Sequence, residues 1–187
     1  MKKLIPILVF LAIVGFISQA EALTEDTCGM SVTVVVGVSL IVTDEPVAFG
    51  SVNTGTSDVS DSGCTVTNDG SALNDYRLRI TAKPATWTVE ETAGSVDWNE
   101  FRLMGLFTSN SSLVTGDFST SDDIVLASGE TTATTDIYAI TAEGASVKGY
   151  DCTENAVRKL WFRFDAPSGT DLITEQWITV TVYAIQG

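Results

Sequence analysis

Residues 159–164 read KLWFRF, and this alternation of large apolar side chains with cationic or amphipathic ones is the strongest structural signal in the chain. Successive side chains of a β-strand point to opposite faces, so Leu160, Phe162 and Phe164 share one face. A strand with one apolar face packs on a core and pairs with other strands. The stretch therefore predicts a β-sheet protein.

The same alternation recurs along the chain after residue 30, most clearly in 76–80, 101–107 and 178–185. Turn-forming residues such as 68–70 (NDG) and Pro167 separate these stretches. No stretch combines a sustained helical period with capping residues. The pattern predicts an all-β protein, an immunoglobulin-like β-sandwich of about 8–9 antiparallel strands.

The first 22 residues have the three-part order of a secretory signal peptide. Two lysines precede an uncharged apolar run, residues 4–17, and Ala20 and Ala22 occupy the −3 and −1 positions of a cleavage site. The run is shorter than the ~20 residues that span a membrane. We expect cleavage after Ala22, a secreted or cell-surface location without stable membrane insertion, and one domain over residues 23–187. Retention of residues 1–22 as an anchor is the alternative.

The chain is strongly acidic, with 10 Lys and Arg against 24 Asp and Glu in 187 residues. Removal of residues 1–22 takes away Lys2, Lys3 and Glu21, which leaves 8 basic and 23 acidic residues and a net charge of −15. Nucleic acids and anionic membrane surfaces are bound through basic patches. The charge therefore argues against both as partners.

Catalytic motifs are missing from the sequence. It has no histidine, which excludes the usual general base, the Ser-His-Asp arrangement and the commonest zinc ligand. Candidates for glycoside hydrolysis are the paired carboxylates at 90–91 and 122–123 together with Asp97 and Glu100. Asp117, Asp122 and Asp123 lie in one polar loop and are candidates for calcium binding. In a chain with this many acidic residues, such clusters are expected simply as charged residues of solvent-exposed loops. We expect no enzymatic activity and no cofactor.

The three cysteines of an exported chain allow one disulfide and leave one thiol unpaired. Cys28–Cys64 is the first choice, because it would tie the N-terminal segment to the first long strand. Cys28–Cys152 comes next, and Cys64–Cys152 is the third possibility. An unstrained bridge of this kind would stabilise the fold by ~3–4 kcal/mol.

Residues 31–43, SVTVVVGVSLIVT, are apolar on both faces of a predicted strand. One face carries four valines: Val32, Val34, Val36 and Val38. An outer strand of a sandwich normally shows water a polar face, so both faces of this one are expected to contact protein. Either the segment bends at Gly37 and serves both sheets of its own domain, or it inserts into a neighbouring subunit as a donated strand.

Three aromatic residues are candidates for binding. Trp98 lies between Asp97 and Asn99 in a polar stretch and is the best ligand candidate, since aromatic rings stack on sugars. Trp177 and Tyr183 fall on the outward face of the last predicted strand. Exposed aromatic side chains on such a strand are typical of an interface.

Short motifs in residues 28–80 resemble those of known families. Residues 47–55 (VAFGSVNTG) with 66–70 (VTNDG) look like the FGxVxxG…VxNxG pattern of Hydin-type immunoglobulin-like domains. The order Cys28, Phe49-Gly50, Cys64 resembles the opening of spore coat protein U and of pilin subunits. Both resemblances imply immunoglobulin-like sandwiches in structural or docking roles.

Together these observations favour a non-enzymatic extracellular structural protein, a self-assembling surface or filament subunit. Its expected partners are further copies of itself, joined by strand exchange or by edge packing. The alternative is a secreted carbohydrate- or ligand-binding module in which Trp98 contacts the ligand.

Overall fold

The computed structural model describes residues 37–187. This part of the chain contains nine β-strands, arranged in two sheets. In chain order they are β1 (Ile41–Thr43), β2 (Ser57–Val59), β3 (Cys64–Thr67), β4 (Asn74–Ala82), β5 (Thr88–Val89), β6 (Glu100–Phe107), β7 (Thr131–Thr132), β8 (Val157–Asp165) and β9 (Thr179–Gln186). Two short 3₁₀ helices lie at Thr115–Asp117 and Ala145–Val147. The all-β prediction is confirmed, and the immunoglobulin-like class stays a prediction.

Several predicted features lie outside the described residues. They are the signal peptide (1–22), Cys28 and three of the four valines, Val32, Val34 and Val36. The predictions that concern them stay predictions.

The larger sheet is built around β8, which contains the KLWFRF stretch. Strand β6 pairs along one side of β8, while β2 and β3 share the other side, and β1 and β5 form the outer strands. The β5–β6 pair is parallel, so the prediction of antiparallel strands is wrong there. The reason is the loop of residues 90–99, which carries the chain back to the starting end of β5 instead of closing a hairpin.

The core between the two sheets confirms the predicted faces. Leu160 and Phe162 of β8 pack there with Phe101 of β6 and with Leu78 of β4 from the smaller sheet. Gly105 of β6 faces the same core, and a Cβ at this position would lie 2.7 Å from Leu78 Cδ1. Glycine is therefore the residue that fits between the sheets there.

The opposite face of β6 and β8 is buried as well, by a second and smaller core. Met104, Leu106 and Trp161 pack there against Phe118 and Ile124 from the long connection after β6. Trp161 is only 7% exposed, although the alternation alone places it on the outward face. The connection between β6 and β8 folds back over the sheet and covers that face.

The smaller sheet has the order β7–β4–β9. Strand β4 lies in its centre, and its inward Tyr76, Leu78 and Ile80 are fully or almost fully buried. Strand β9 pairs antiparallel with β4, so that Arg77 lies opposite Tyr183, and a register shift follows Ile80. This arrangement places a long strand at one edge of the molecule.

Candidate functional site

The free edge of β9 is the most unusual surface of the described structure. Within residues 37–187 this eight-residue strand pairs with β4 alone, so one row of its backbone N–H and C=O groups has no strand beside it. Residues 177–187 contain no charged side chain and no proline. Soluble proteins usually protect such an edge with charges, prolines or bulges. The edge of β9 therefore has the properties of a pairing surface.

The inward side chains of β9 also remain incompletely covered. Val180, Val182 and Ala184 pack on the main core but are only partly buried. Their neighbours across the sheet, Tyr76 and Leu78, are fully buried. The difference arises because β4 has a strand on each side and β9 has one on a single side. A further strand beside β9 would shield these apolar side chains from water.

The two aromatic residues predicted to form an interface lie on this part of the molecule. Tyr183 is on the outward face of β9 and is half-buried, and Trp177 lies just before the strand with 63% of its surface exposed. On the same outward face, β4 contributes Arg77 and Arg79, and Arg77 Nη1 lies 3.5 Å from Glu130 Oε2. Asp75 of the same β4 face and Glu130 balance the two arginines, so this face is close to electrically neutral in a strongly acidic chain.

The described part of the apolar segment 31–43 packs on its own domain. The Gly37 N–H donates to Ser71 Oγ at 3.1 Å, and the side chain of Asn74 donates to Ser39 O at 2.9 Å. Only Ile41–Thr43 form a strand, β1, which pairs with β3. Residues 37–43 make these contacts within the chain, and donation of the segment 31–43 to another subunit stays a prediction.

Val38 is the one predicted interface valine among the described residues, and 42% of its surface is exposed. It lies near Leu73, which is 47% exposed, because Gly37 O accepts a hydrogen bond from Ala72 N–H.

Trp98, the residue predicted to bind a ligand, lies at the surface, and backbone contacts with Gly169 hold it in place. Its surface is 61% exposed, and its backbone forms a parallel bridge with Gly169. Asn99 N–H donates to Gly169 O at 2.8 Å. A Cβ on Gly169 would overlap the indole ring, so glycine allows the ring to lie against the backbone. The chain supports the ring while leaving much of it open to solvent.

No family model, curated protein or solved structure matches this chain. The resemblances to Hydin-type domains, spore coat protein U and pilin subunits therefore stay predictions. Within residues 37–187, the structure has no helix long and apolar enough to cross a membrane.

The two described cysteines are buried, and they do not form a disulfide with each other. Cys64 and Cys152 both contribute to the main core as free thiols. Burial raises the pKa of Cys64 to about 11 and also raises the pKa of Cys152, so both remain protonated at neutral pH. The third possible pairing, Cys64–Cys152, is therefore wrong for this structure, while the two pairings with Cys28 stay predictions.

Several of the clustered carboxylates accept hydrogen bonds from N–H or hydroxyl groups of loops. Asp117 accepts from Val114 N–H at 2.7 Å, and Asp122 accepts from Ser119 Oγ at 2.8 Å. Glu91 accepts from the Ala127 and Ser128 N–H groups, each at 2.7 Å. Among the described residues, no three His, Cys, Asp or Glu side chains are placed to hold a metal ion together.

Asp123 differs from the other carboxylates because it is almost completely buried. One oxygen accepts from Ser119 N–H at 2.7 Å, and the other has no partner among the described residues. Burial, opposed in part by the Ser119 hydrogen bond, raises the pKa of Asp123 to about 7. The neighbouring charge of Asp122 contributes to the increase.

Sequence reasoning missed a buried cluster of charged residues on the larger sheet. Arg102 Nη1 lies 3.2 Å from Asp165 Oδ2, and Arg163 Nε lies 2.7 Å from Asp165 Oδ1. The side chains of Arg102 and Asp165 are 5% and 8% exposed. Alternation along β6 and β8 puts both residues on the outward face of the sheet, and no local signal in the sequence indicates that loops cover that face.

Proposed function

We propose that this protein is a secreted, non-enzymatic structural subunit that assembles with further copies of itself through the free edge of β9. The observation that carries the proposal is an uncharged edge of eight residues, whose inward valines are only partly covered. A strand added to such an edge gains main-chain hydrogen bonds and fills alternate side-chain positions. Edge pairing would thus extend the sheet by a strand and would bury the inward side chains of β9 more completely.

The distribution of charge supports association at this surface. Two copies with a net charge of −15 each repel one another over most orientations. Residues 177–187 carry no charge, and the adjacent outward face of β4 provides Arg77 and Arg79. This face is therefore one on which acidic copies meet with little repulsion.

The test compares the secreted protein, residues 23–187, with the double variant Thr181→Glu/Tyr183→Glu. These residues lie opposite Arg79 and Arg77 within the sheet, so the new carboxylates are compatible with the fold. When two β9 edges or two outward faces meet, the same carboxylates bring like charges together. We expect wild-type protein to form oligomers in sedimentation velocity and electron microscopy, and the double variant to remain monomeric.

The matched control is Ser111→Glu/Ser112→Glu, which adds two charges on an exposed loop of another part of the molecule. This control should assemble like the wild type. A wild-type protein that stays monomeric at high concentration would overturn the proposal. Oligomers that persist unchanged in the Thr181→Glu/Tyr183→Glu variant would show that assembly uses a different surface.

A further inference from the structure

A cavity of about 330 Å³ opens on the outer side of the larger sheet, to which β9 does not belong. Its lining comes from the segments 55–57 and 94–96 and from Ala166 and Ser168, together with Arg102 and Asp165 of the sheet itself. The volume lies in the range of small-molecule sites. This cavity takes no part in the β9 edge, so its role is independent of the proposed assembly.

The polar groups of the cavity include a donor that lacks an acceptor. Arg102 uses Nη1 for Asp165 and Nη2 for the carbonyl of Gly94, while its Nε has no hydrogen-bond partner among the described residues. The Arg102 side chain is 95% buried, since only 5% of it is exposed. A buried N–H of this kind costs free energy unless an oxygen reaches it. The Nε atom is itself sealed from solvent, so the polar groups that a ligand can reach are the hydroxyls of the lining.

Around this guanidinium the lining provides hydroxyl groups that both donate and accept. They come from four residues: Thr56, Ser57, Ser95 and Ser168. Asp165 is held by Arg102 and by Arg163, which fixes the orientation of both arginines. The arrangement offers several hydrogen bonds of mixed polarity, which suits a ligand with many hydroxyl groups.

The walls of the cavity continue into the support of Trp98. Ser168 N–H donates to Asp97 O at 3.1 Å, and Trp98 bridges to Gly169, so the same two loops form the wall and hold the ring. Val96 lines the cavity two residues before Trp98. An exposed ring beside a hydroxyl-lined cavity can stack on the C–H face of a sugar while the cavity binds its hydroxyls.

The local charge decides between a neutral and an anionic ligand. Arg102 and Asp165 offset each other, and Glu90 lies beside Gly94, close to the guanidinium. The chain as a whole is strongly negative and repels anions. We propose that the cavity and Trp98 together bind a neutral saccharide.

The experiment uses the full secreted protein on an array of immobilised neutral and acidic glycans, followed by calorimetric titration of the soluble form of the best binder. Trp98→Ala removes the exposed ring, and Ser95→Trp fills the mouth of the cavity from an exposed position. Val157→Ala, which truncates an apolar side chain of nearly equal exposure at the opposite end of β8 from Asp165, is the matched control. We expect the affinity to fall by about tenfold or more in the first two variants and to stay within about twofold in the control.

Both cavity variants alter exposed positions, so their folding is checked by circular dichroism before binding is compared. Binding to acidic glycans alone, abolished by salt, would overturn the neutral-saccharide assignment. The proposal would also fail if no glycan on the array is bound, or if Trp98→Ala and Ser95→Trp bind as tightly as Val157→Ala. None of these results bears on oligomer formation, which the β9 variants test separately.

Discussion

At the scale of single residues, few buried side-chain polar atoms of the described structure lack a hydrogen-bond partner. Asp123 is the clearest example. Its pKa of about 7 lies well above the ordinary value of 3.8 because the carboxyl group is buried. Between about pH 4 and pH 7 the folded chain keeps this proton, while the unfolded chain has released it. The contribution of Asp123 to stability therefore falls as the pH rises through this window and is lost above it.

This linkage predicts the behaviour of Asp123→Asn. An amide keeps an oxygen for the Ser119 N–H but never ionises, so the variant should be more stable than wild type at pH 8, by about 1–3 kcal/mol. The difference should shrink toward pH 4. Urea unfolding at a series of pH values measures it, with Asp117→Asn at an exposed position as the control for loss of one charge. A variant that is less stable than wild type at pH 8 would contradict the prediction.

At the scale of elements, β4 and β9 belong to one sheet but differ in exposure. Strand β4 has β7 and β9 as neighbours, whereas the outer edge of β9 is unpaired within the described residues. Backbone amides that point to a free edge are hydrogen-bonded to water and exchange quickly. The strands should therefore differ in hydrogen exchange even though both contribute to the main core.

We expect alternate amides of β9 in the monomer to exchange at least about tenfold faster than those of β4. On assembly the same β9 amides should slow, because a neighbouring strand then accepts their hydrogen bonds. Hydrogen–deuterium exchange at low and high protein concentration measures both effects, with the assembly-deficient Thr181→Glu/Tyr183→Glu variant as the control. Equal protection of β9 and β4 in the monomer would show that the edge is already covered.

At the scale of the whole molecule, the large negative charge and the uncharged edge act in opposite directions. The charge repels other copies over long distances, and in the proposed assembly the β9 edge provides the contact at short range. The Debye length decreases as salt is added, so the repulsion weakens while main-chain pairing and apolar burial persist.

Salt should therefore strengthen self-association. Between about 20 mM and about 300 mM sodium chloride, we expect the dissociation constant of the oligomer to decrease by about three- to tenfold. Sedimentation equilibrium at the two salt concentrations gives the constants. An association that weakens with salt would indicate an interface held by ion pairs instead, in contradiction to an uncharged β9 edge.

Local sequence alone predicts some features of this protein. The period of two in residues 159–164 indicates a strand and assigns Leu160 and Phe162 to the core, because neighbouring side chains of a strand must alternate between its faces. The same reasoning placed Tyr183 on the outward face of β9. The acidic charge follows directly from composition, and the signal peptide stays a prediction.

Other features depend on which distant segments meet, and no local period encodes that. The burial of Trp161 and Arg102 requires loops to fold over the outward face of the larger sheet. The free edge of β9 and the parallel pairing of β5 follow from the order of strands in the sheets. The cavity beside Trp98 likewise exists only where three distant segments converge. These features come from long-range pairing, in which the stability of each contact depends on the whole chain rather than on neighbouring residues.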